Sequence, residues 1–339
     1  MTRGLDHPWG MAFLPDNGIL VTERPGRLRI IRNEKLLPTP IAGLPKIKEK
    51  GQGGLLGIAL HPNFRENRWI YLSFAGKGQS GYGTEVIRGK LEGMKLKEVE
   101  TIFRALPKSR GGRHFGSRLV FERDATLYIS LGDRGKRLSA QQLDDHRGSL
   151  IRVNDDGSVP TDNPFVGKVG IKPEIFTYGN RNIQGMALHP TTGGLWTHEH
   201  GPQGGDEVNI MNPGANYGWP VITYGVNYVI GTRIGEGTHK QGMLQPIHKW
   251  VPSIAPSGMT FYTGDLFANW KHDLFVGSLK FGLLVRLKVD GIRIVGEERM
   301  LDGRFGRIRD VIQGPDDLLY LLTDESDGAL LKLMPLEPG

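Results

Sequence analysis

The chain has 339 residues, carries a formal net charge of +7, contains 49 glycines and 21 prolines, and lacks cysteine. The absence of cysteine excludes disulfides, thiolate metal sites and thiol catalysis. Lysine and arginine are scattered rather than clustered, which argues against nucleic-acid binding, and no apolar run approaches the length of a membrane span. The length allows two ordinary domains or one large all-β domain, and the 38% hydrophobic residues with many turn-forming ones favour short strands joined by turns.

A pattern of a small residue, alternating apolar residues, a turn and a second apolar strand occurs six times along the chain. Consecutive copies begin roughly 45 to 75 residues apart, which suits four-stranded blades that carry insertions. The copies begin at Trp9, Leu56, Gly116, Gln184, Ser257 and Arg309. We therefore predict that residues 1–339 form a single all-β domain, a six-bladed β-propeller with four-stranded antiparallel blades.

Helix content is expected to be low. Ser139–Arg147 (SAQQLDDHR) is the best candidate for a short helix, with Ser139 as its N-cap. The segment Gly76–Gly81 (GKGQSG) follows a predicted strand and matches the glycine pattern of dinucleotide-binding sites. The next residues, TEVIRGKL, predict another strand rather than a helix, so we interpret the segment as a glycine-rich hairpin.

The segment from His198 to Tyr228 combines carboxylates, glycine-containing turns and aromatic residues without a helical period. Asp206 and Glu207 offer carboxylate oxygens, while the neighbouring Gly-Pro and Asn-Tyr-Gly turns can direct main-chain carbonyls towards one point. Such oxygen ligands suit Ca²⁺ better than a soft metal. His198 and His200 alternate along a strand, but without a third nitrogen or sulfur ligand a zinc site is not expected. The alternative interpretation is a polar surface loop.

Several polar residues lie at the start of a predicted strand or directly after one. Equivalent points of successive blades meet on one face of a propeller, so these residues should surround a single mouth. They are Gln52, His114, Asp133, Arg181, Asn182, Lys280, Arg307 and Arg309. Arg307 and Arg309 share one face of a strand, and each could form a bidentate hydrogen bond with a carboxylate or phosphate. A solvated strand face is an equally simple interpretation.

His114 is the best general-base candidate of the chain. A base needs a pKa near the working pH and an orienting partner, and Asp133 is a suitable partner. A single histidine is nevertheless more often structural. We expect this of His61 and His189, which occur in matching ALHP segments and are predicted to lie in blade turns.

Taken together, these segments resemble the soluble quinoprotein sugar dehydrogenases, the PQQ-dependent aldose sugar and glucose dehydrogenases. The resemblance runs in order through LDHPWGMAFLPD, GQGGLLG, HFGSRLVF, DNPF, YGNRNIQGMA, EHGPQGGDE, NYGWP, APSGM, RIRDV and LYLLTDE. It implies a six-bladed propeller that oxidises aldoses at C1 to the lactone with PQQ and Ca²⁺. Electrons would pass to an external acceptor such as a quinone, dye or cytochrome. The bacterial aldose sugar dehydrogenases, which this sequence resembles most, are periplasmic and have wide sugar specificity.

The resemblance also implies roles for individual residues. His114 would take the proton of the sugar's C1 hydroxyl, Asp133 would orient it, and Arg181 would stabilise charge near the C5 oxygen of PQQ, to which the C1 hydride is transferred. The positions that match the family's cofactor-binding residues are Gln52, Arg181, Asn182, Tyr228, Lys280, Arg307 and Arg309.

Two calcium sites are implied in the same way. The main-chain carbonyls of Gly201 and Pro202 match the site of the catalytic Ca²⁺. Glu207 and the carbonyl of Tyr217 match a second, structural site.

Two residues depart from the best-known glucose dehydrogenase pattern. His200 replaces a glutamine, and Arg113 replaces an acidic residue before the catalytic histidine, so the preferred sugar is not carried over. The short loops favour a monomer or weak dimer over a tight dimer.

Two rival functions remain. A Ca²⁺-dependent propeller lactonase would hold its metal mainly with carboxylates and asparagine, and it would have no use for a basic cluster. A non-catalytic interaction platform would be expected to lack His114 or that cluster.

Overall fold

Six four-stranded antiparallel sheets, here called blades one to six in chain order, form the structure. The computed structural model describes residues 1–335. Neighbouring blades contact each other through their first strands, and blade six also contacts blade one, so the sheets close into a ring. The predicted six-bladed β-propeller with four-stranded antiparallel blades is confirmed.

Each blade runs outward from an inner strand, and the chain begins with β1 (Thr2–Leu5), the outermost strand of blade six. Blade one consists of β2 (Pro8–Phe13), β3 (Ile19–Glu23), β4 (Arg27–Arg32) and β5 (Lys35–Leu36). Blade two consists of β6 (Leu55–Leu60), β7 (Trp69–Gly78), β8 (Gly81–Glu92) and β9 (Lys95–Arg104). Blade three consists of β10 (Leu119–Phe121), β11 (Leu127–Ser130), β12 (Leu150–Val153) and β13 (Ile175–Thr177). Blade four consists of β14 (Ile183–Leu188), β15 (Leu195–Glu199), β16 (Asp206–Ile210) and β17 (His248–Trp250). Blade five consists of β18 (Pro256–Phe261), β19 (Leu274–Ser278), β20 (Leu284–Asp290) and β21 (Arg293–Met300). Blade six consists of β22 (Ile308–Gln313), β23 (Leu319–Thr323) and β24 (Gly328–Leu333), and β1 completes it.

Glycines in the inner strands allow neighbouring blades to approach closely. A Cβ atom on Gly57 in β6 would collide with the carbonyl oxygen of Ser117, and one on Gly258 in β18 would collide with Asp310. Because glycine has no Cβ, inner strands can lie almost backbone to backbone. The Ser73 hydroxyl uses this proximity to donate a hydrogen bond to Ser117 O at 2.6 Å.

Apolar side chains fill the interfaces between blades rather than the centre of the ring. Leu20 of blade one packs in the same cluster as Leu72 of blade two, and Trp196 of blade four packs with Val276 of blade five. Burial of this apolar surface is the dominant favourable contribution to folding. The centre of the ring is thereby left to the inner strands and their polar side chains.

The ring is closed by pairing the first strand of the chain with the last. In the antiparallel ladder between β1 and β24, Thr2 lies opposite Leu330 and Leu5 opposite Gly328. Leu5 is fully buried, at 0% exposure, in the cluster between blades six and one. Blade six is therefore built from both ends of the described chain.

Helices contribute little to residues 1–335. The predicted hairpin at Gly76–Gly81 is confirmed, because β7 and β8 pair up to Gly78 opposite Gly81 and leave a two-residue turn. None of the helices in this range is long and apolar enough to cross a membrane. The helical segments are α1 (Phe64–Asn67) and two short 3₁₀ helices, Arg137–Gln141 and Ala268–Trp270.

The predicted helix over Ser139–Arg147 is wrong. A 3₁₀ helix begins two residues earlier, and Ser139 lies inside it rather than at its N-cap. Beyond this helix the chain is held by tertiary contacts: the buried His146 donates its backbone N–H to Leu106 O at 3.0 Å. Such contacts outweigh the weak helical preference of the segment.

Candidate active site

A cavity of about 780 Å³ opens on the face of the ring where the inner strands begin. Its walls combine main-chain and side-chain groups from every blade, so residues far apart in the sequence meet there. The cavity is lined by seven of the predicted site residues, namely Gln52, Asn182, Pro202, Tyr228, Lys280, Arg307 and Arg309. Other lining residues were not predicted from the sequence, including Trp9, Arg24, Phe115, Gln184 and Leu279.

The cavity wall is positively charged. Of its lining residues, all within the described chain, four are basic and none is acidic. Behind the wall, Asp324 accepts hydrogen bonds from Arg309, including one from Nε at 3.2 Å, and lies 3.6 Å from Arg307 Nη2. Although burial opposes ionisation, Arg309 and Arg24 hold the pKa of Asp324 well below its ordinary value. Asp324 thus neutralises part of the charge of the basic lining residues. The positive charge that remains suits an anion with several carboxylates.

His114 and Asp133 form a buried pair beside this cavity. His114 Nδ1 donates to Asp133 Oδ1 at 2.6 Å, and the backbone N–H of His114 donates to Gln52 Oε1 at 2.7 Å. Asp133 is fixed in turn by Trp219 Nε1 at 2.9 Å and by the backbone N–H of Gly135 at 2.6 Å. His114 is not itself a lining residue, but its neighbours Phe115 and Gly116 line the cavity, and so does Gln52, which binds its backbone N–H.

The surroundings favour a neutral His114. Burial lowers the pKa of its imidazole below the ordinary value of 6.5, and the positive charges of Arg181 and Arg113 lower it further. The hydrogen bond that His114 donates to Asp133 opposes this shift. Burial opposes ionisation of Asp133, but its bond to His114 still lowers the carboxyl pKa. With Nδ1–H directed at a carboxylate, Nε2 is the ring nitrogen left to accept a proton.

Arg181 lies behind the cavity wall. Its Nη1 donates to His200 O at 2.9 Å, and its guanidinium lies 5.4 Å from the ring centre of Trp219. The side chain borders a smaller void rather than the main cavity. The next residue, Asn182, does reach the main cavity and accepts the Gly116 N–H at 3.1 Å.

The loop 200–205 is anchored by Asp206. Its carboxylate accepts the N–H of Gly201 at 2.9 Å, the hydroxyl of Ser253 at 2.7 Å and the N–H groups of residues 254 and 255 at 2.9 and 3.0 Å. The oxygens of Asp206, which the sequence offered as metal ligands, thus accept the hydrogen bonds that hold this loop. Tyr228 donates its hydroxyl to Pro202 O at 3.1 Å, so the aromatic residue also supports this loop.

Glu199 and Glu207 face each other in the smaller void. They are directly opposed in the β15–β16 ladder, and both are largely buried, at 4% and 9% exposure. Burial raises the pKa of Glu199 to about 7 and also raises that of Glu207, to which the negative charge of Glu199 contributes. Gly201 and Tyr217 border the same void.

Glu199 was missed because strand register cannot be read from the sequence. One of its oxygens accepts the N–H groups of Arg181 and Asn182, the latter at 3.1 Å. Residues 1–335 contain no cluster of three or more His, Cys, Asp or Glu side chains able to hold a metal. A cation in this void would therefore combine the two carboxylates with main-chain carbonyls, a donor set that suits a hard divalent ion.

The remaining histidines occupy structural positions. His61 and His189 directly follow the inner strands β6 and β14, as predicted for blade turns. His200 lines the cavity and donates from Nε2 to Pro256 O at 2.6 Å, while burial lowers its pKa to about 3. His198 is fully buried.

Comparison with known proteins places the chain in a class of redox enzymes. The family model described as Glucose / Sorbosone dehydrogenase matches residues 5–332. Aldose sugar dehydrogenase YliI of Escherichia coli K12 is 47% identical over 98% of this chain and 91% of that protein. The chain therefore belongs to the glucose/sorbosone dehydrogenase family, and the predicted resemblance and sugar dehydrogenase class are confirmed.

Solved structures support the same assignment. The apo form of the soluble aldose sugar dehydrogenase from Escherichia coli superposes with a TM-score of 0.96 at 46% identity, covering 99% of this chain and 98% of that one. A PQQ-bound aldose sugar dehydrogenase from Streptomyces coelicolor superposes with a TM-score of 0.81 at 29% identity, covering 98% and 95%.

Proposed function

We propose that this protein oxidises aldose sugars at C1 to the lactone, using PQQ and Ca²⁺ and passing electrons to an external acceptor such as a quinone, dye or cytochrome. The observation that carries the proposal is the juxtaposition of a basic cavity, without acidic lining residues in the described chain, and the buried His114–Asp133 pair. The PQQ-bound Streptomyces relative supports the choice of cofactor.

The cavity fits PQQ, a planar molecule with three carboxylates. Lys280, Arg307 and Arg309 would bind carboxylates, and Arg24 adds a fourth positive charge. The remaining cofactor-binding residues of the proposal are Gln52, Arg181, Asn182 and Tyr228. When bound, PQQ would supply a quinone able to accept a hydride, and Ca²⁺ would supply a Lewis acid beside it.

His114 is proposed as the general base that removes the proton of the C1 hydroxyl through Nε2. Asp133 holds Nδ1–H, selects the tautomer with a free Nε2 and stabilises the imidazolium that forms. Trp219 and Gly135 keep the carboxylate in place. Arg181 is assigned to stabilising negative charge that would develop near the C5 oxygen of bound PQQ.

Two calcium sites belong to the proposal. The carbonyls of Gly201 and Pro202 would hold the catalytic ion, on the loop that Asp206 anchors. Glu207 and the carbonyl of Tyr217 would hold the second, with Glu199 as a further carboxylate facing the same void. Two opposed buried carboxylates repel each other when both are ionised, and a cation between them would relieve that repulsion.

The rival functions have less support. A lactonase would require carboxylates at the cavity, whereas its lining residues in the described chain are basic or neutral. A non-catalytic platform gives no reason for the buried His114–Asp133 pair. The proposal includes a periplasmic location, which the family resemblance implies, and a monomeric or weakly dimeric state, which the short loops favour. Cell fractionation and light scattering would test them.

Reconstitution tests the function. Metal-free apoprotein is mixed with PQQ and Ca²⁺, and dye reduction is followed with a panel of aldoses. Activity should require both additions, and His114→Ala should lower kcat by about 10²- to 10⁴-fold. His189→Ala, a buried histidine away from the cavity, is the control and should keep its activity. Absence of both dye reduction and PQQ binding in an absorbance titration would refute the proposal.

A further inference from the structure

The side chain of Arg118 crosses the centre of the ring. Arg118 directly precedes β10 of blade three, whereas Asp310 lies in β22 of blade six, and these blades are opposite each other in a ring of six. Arg118 Nη1 nevertheless lies 2.7 Å from Asp310 Oδ1, and the two side chains are only 11% and 3% exposed. The pair therefore spans the central channel.

The same two side chains bind the inner strands of further blades. Arg118 Nε donates to Gln184 O in blade four at 2.7 Å, and Nη2 donates to Arg309 O in blade six at 3.1 Å. Asp310 Oδ2 accepts the N–H of Met11 in blade one at 3.1 Å. The three nitrogens of the Arg118 guanidinium thus each bind a different group. Only the fixed, forked geometry of an arginine side chain allows this.

The Arg118–Asp310 pair lies against the base of the proposed cofactor cavity. The Arg118 guanidinium lies 4.2 Å from the ring centre of Trp9, and the Arg309 guanidinium lies 5.9 Å from the same ring. Trp9, Gln184 and Arg309 all line the cavity, whereas Arg118 does not. Arg118 therefore contacts the Trp9 ring and the main chain of Arg309 from behind the wall.

We propose that Arg118 is a positioning residue, which fixes Trp9 and Arg309 at the base of the cavity for cofactor binding. The inference rests on the proposed use of PQQ and adds a residue that does not touch the cofactor. Lysine at this position keeps the charge opposite Asp310, but it lacks the fork that also reaches Gln184 O and Arg309 O. The base of the cavity should then lose its fixed geometry without a charge being left unpaired.

The test compares Arg118→Lys with Arg152→Lys. Arg152 is a matched control, because it is a buried arginine of blade three whose guanidinium binds Asp124 at 3.1 Å and Asp162 at 2.8 Å, and it does not line the cavity. PQQ affinity is measured by absorbance titration, and the melting temperature of each variant is recorded. We expect about tenfold weaker PQQ binding in Arg118→Lys and unchanged binding in Arg152→Lys. The KM for sugar at saturating PQQ should change less than twofold in both.

Wild-type affinity for PQQ in Arg118→Lys, or an equal loss in both variants, would overturn the positioning role. Failure of the wild-type protein to bind PQQ would instead overturn the proposed function. If Arg118→Lys does not fold, the double variant Arg118→Gln/Asp310→Asn carries the test, since it leaves no unpaired buried charge. The same tenfold loss is expected of it, and unchanged affinity would again contradict the proposal.

Discussion

Each ring nitrogen of His114 has a distinct place in the structure. Nδ1 is committed to Asp133, whose other oxygen accepts from the Trp219 indole, so rotation of the imidazole would break a chain of bonds. The backbone of His114 is tied to Gln52. Such a restrained histidine can accept a proton at Nε2 without reorganising its surroundings, which is the condition for efficient general-base catalysis.

The pH dependence of activity should reflect the lowered pKa of His114. The neutral imidazole is the base and predominates above its pKa, so kcat/KM should fall only as the pH drops through a value below 6.5. Asp133→Asn removes a charge that raises this pKa. The variant should lower kcat by up to about 10⁴-fold and move the acid limb to still lower pH.

The measurement is dye reduction against pH with saturating PQQ and Ca²⁺. Asp156→Asn, in an exposed turn of the same blade, serves as the control and should retain the wild-type profile. An acid limb centred above pH 6.5, or an Asp133→Asn variant with normal kcat, would contradict the proposed base.

Glu199 and Glu207 should make the protein sensitive to calcium. Calorimetric titration is expected to give two Ca²⁺ ions per chain for the wild type and one for Glu207→Gln. Binding at this site adds about 2.7 kcal/mol to the free energy of unfolding when free Ca²⁺ is a hundredfold above its Kd, and the variant should lose this increment. Without metal, the variant should be at least as stable as the wild type, because it lacks the repulsion between the two carboxylates.

Glu174→Gln provides the comparison for that experiment. Glu174 is a partly buried carboxylate paired with His146 at 2.6 Å, so its loss should lower stability equally with and without Ca²⁺. Unchanged calcium stoichiometry in Glu207→Gln would exclude the second site.

At the scale of elements, closure by β1 should be a large contribution to stability. Leu5→Ala removes a fully buried side chain from the cluster between blades six and one. The expected loss is about 2–5 kcal/mol in the free energy of unfolding, measured by chemical denaturation. Arg3→Ala in the same strand removes only an exposed ion pair with Asp327 and should change this free energy by less than about 1 kcal/mol. Similar losses in the two variants would argue against tight packing of β1.

The strands could largely be predicted from the sequence, but their partners could not. Repeated alternation of apolar residues identified all six inner strands, because half-buried strands have a period of two. The opposition of Glu199 and Glu207 depends on the register of β15 against β16, which a single sequence does not encode locally. The helix expected at Ser139–Arg147 was lost because the contact between His146 and Leu106 outweighs local preference.

At the scale of the whole molecule, the ring explains why the site residues could be recognised. Gln52, Lys280 and Arg309 belong to different blades, yet the same position in each repeat brings them to one cavity. The position of Arg24 in the cavity wall could not be predicted, because it lies in a turn after β3 with no unusual neighbours in the sequence. The role of Arg118 could not be predicted either, because it depends on Asp310, a partner across the ring.

Closure of the ring by its terminal strands also has a consequence for synthesis on the ribosome. Thr2 is made more than 300 residues before its partner Leu330. Until then the nascent blades form an open arc, with an unpaired sheet edge and uncovered apolar faces at both ends. Contacts this distant in sequence slow folding. The last step of maturation is therefore expected to be the docking of the first strand, and incompletely made chains should be the species most prone to aggregate.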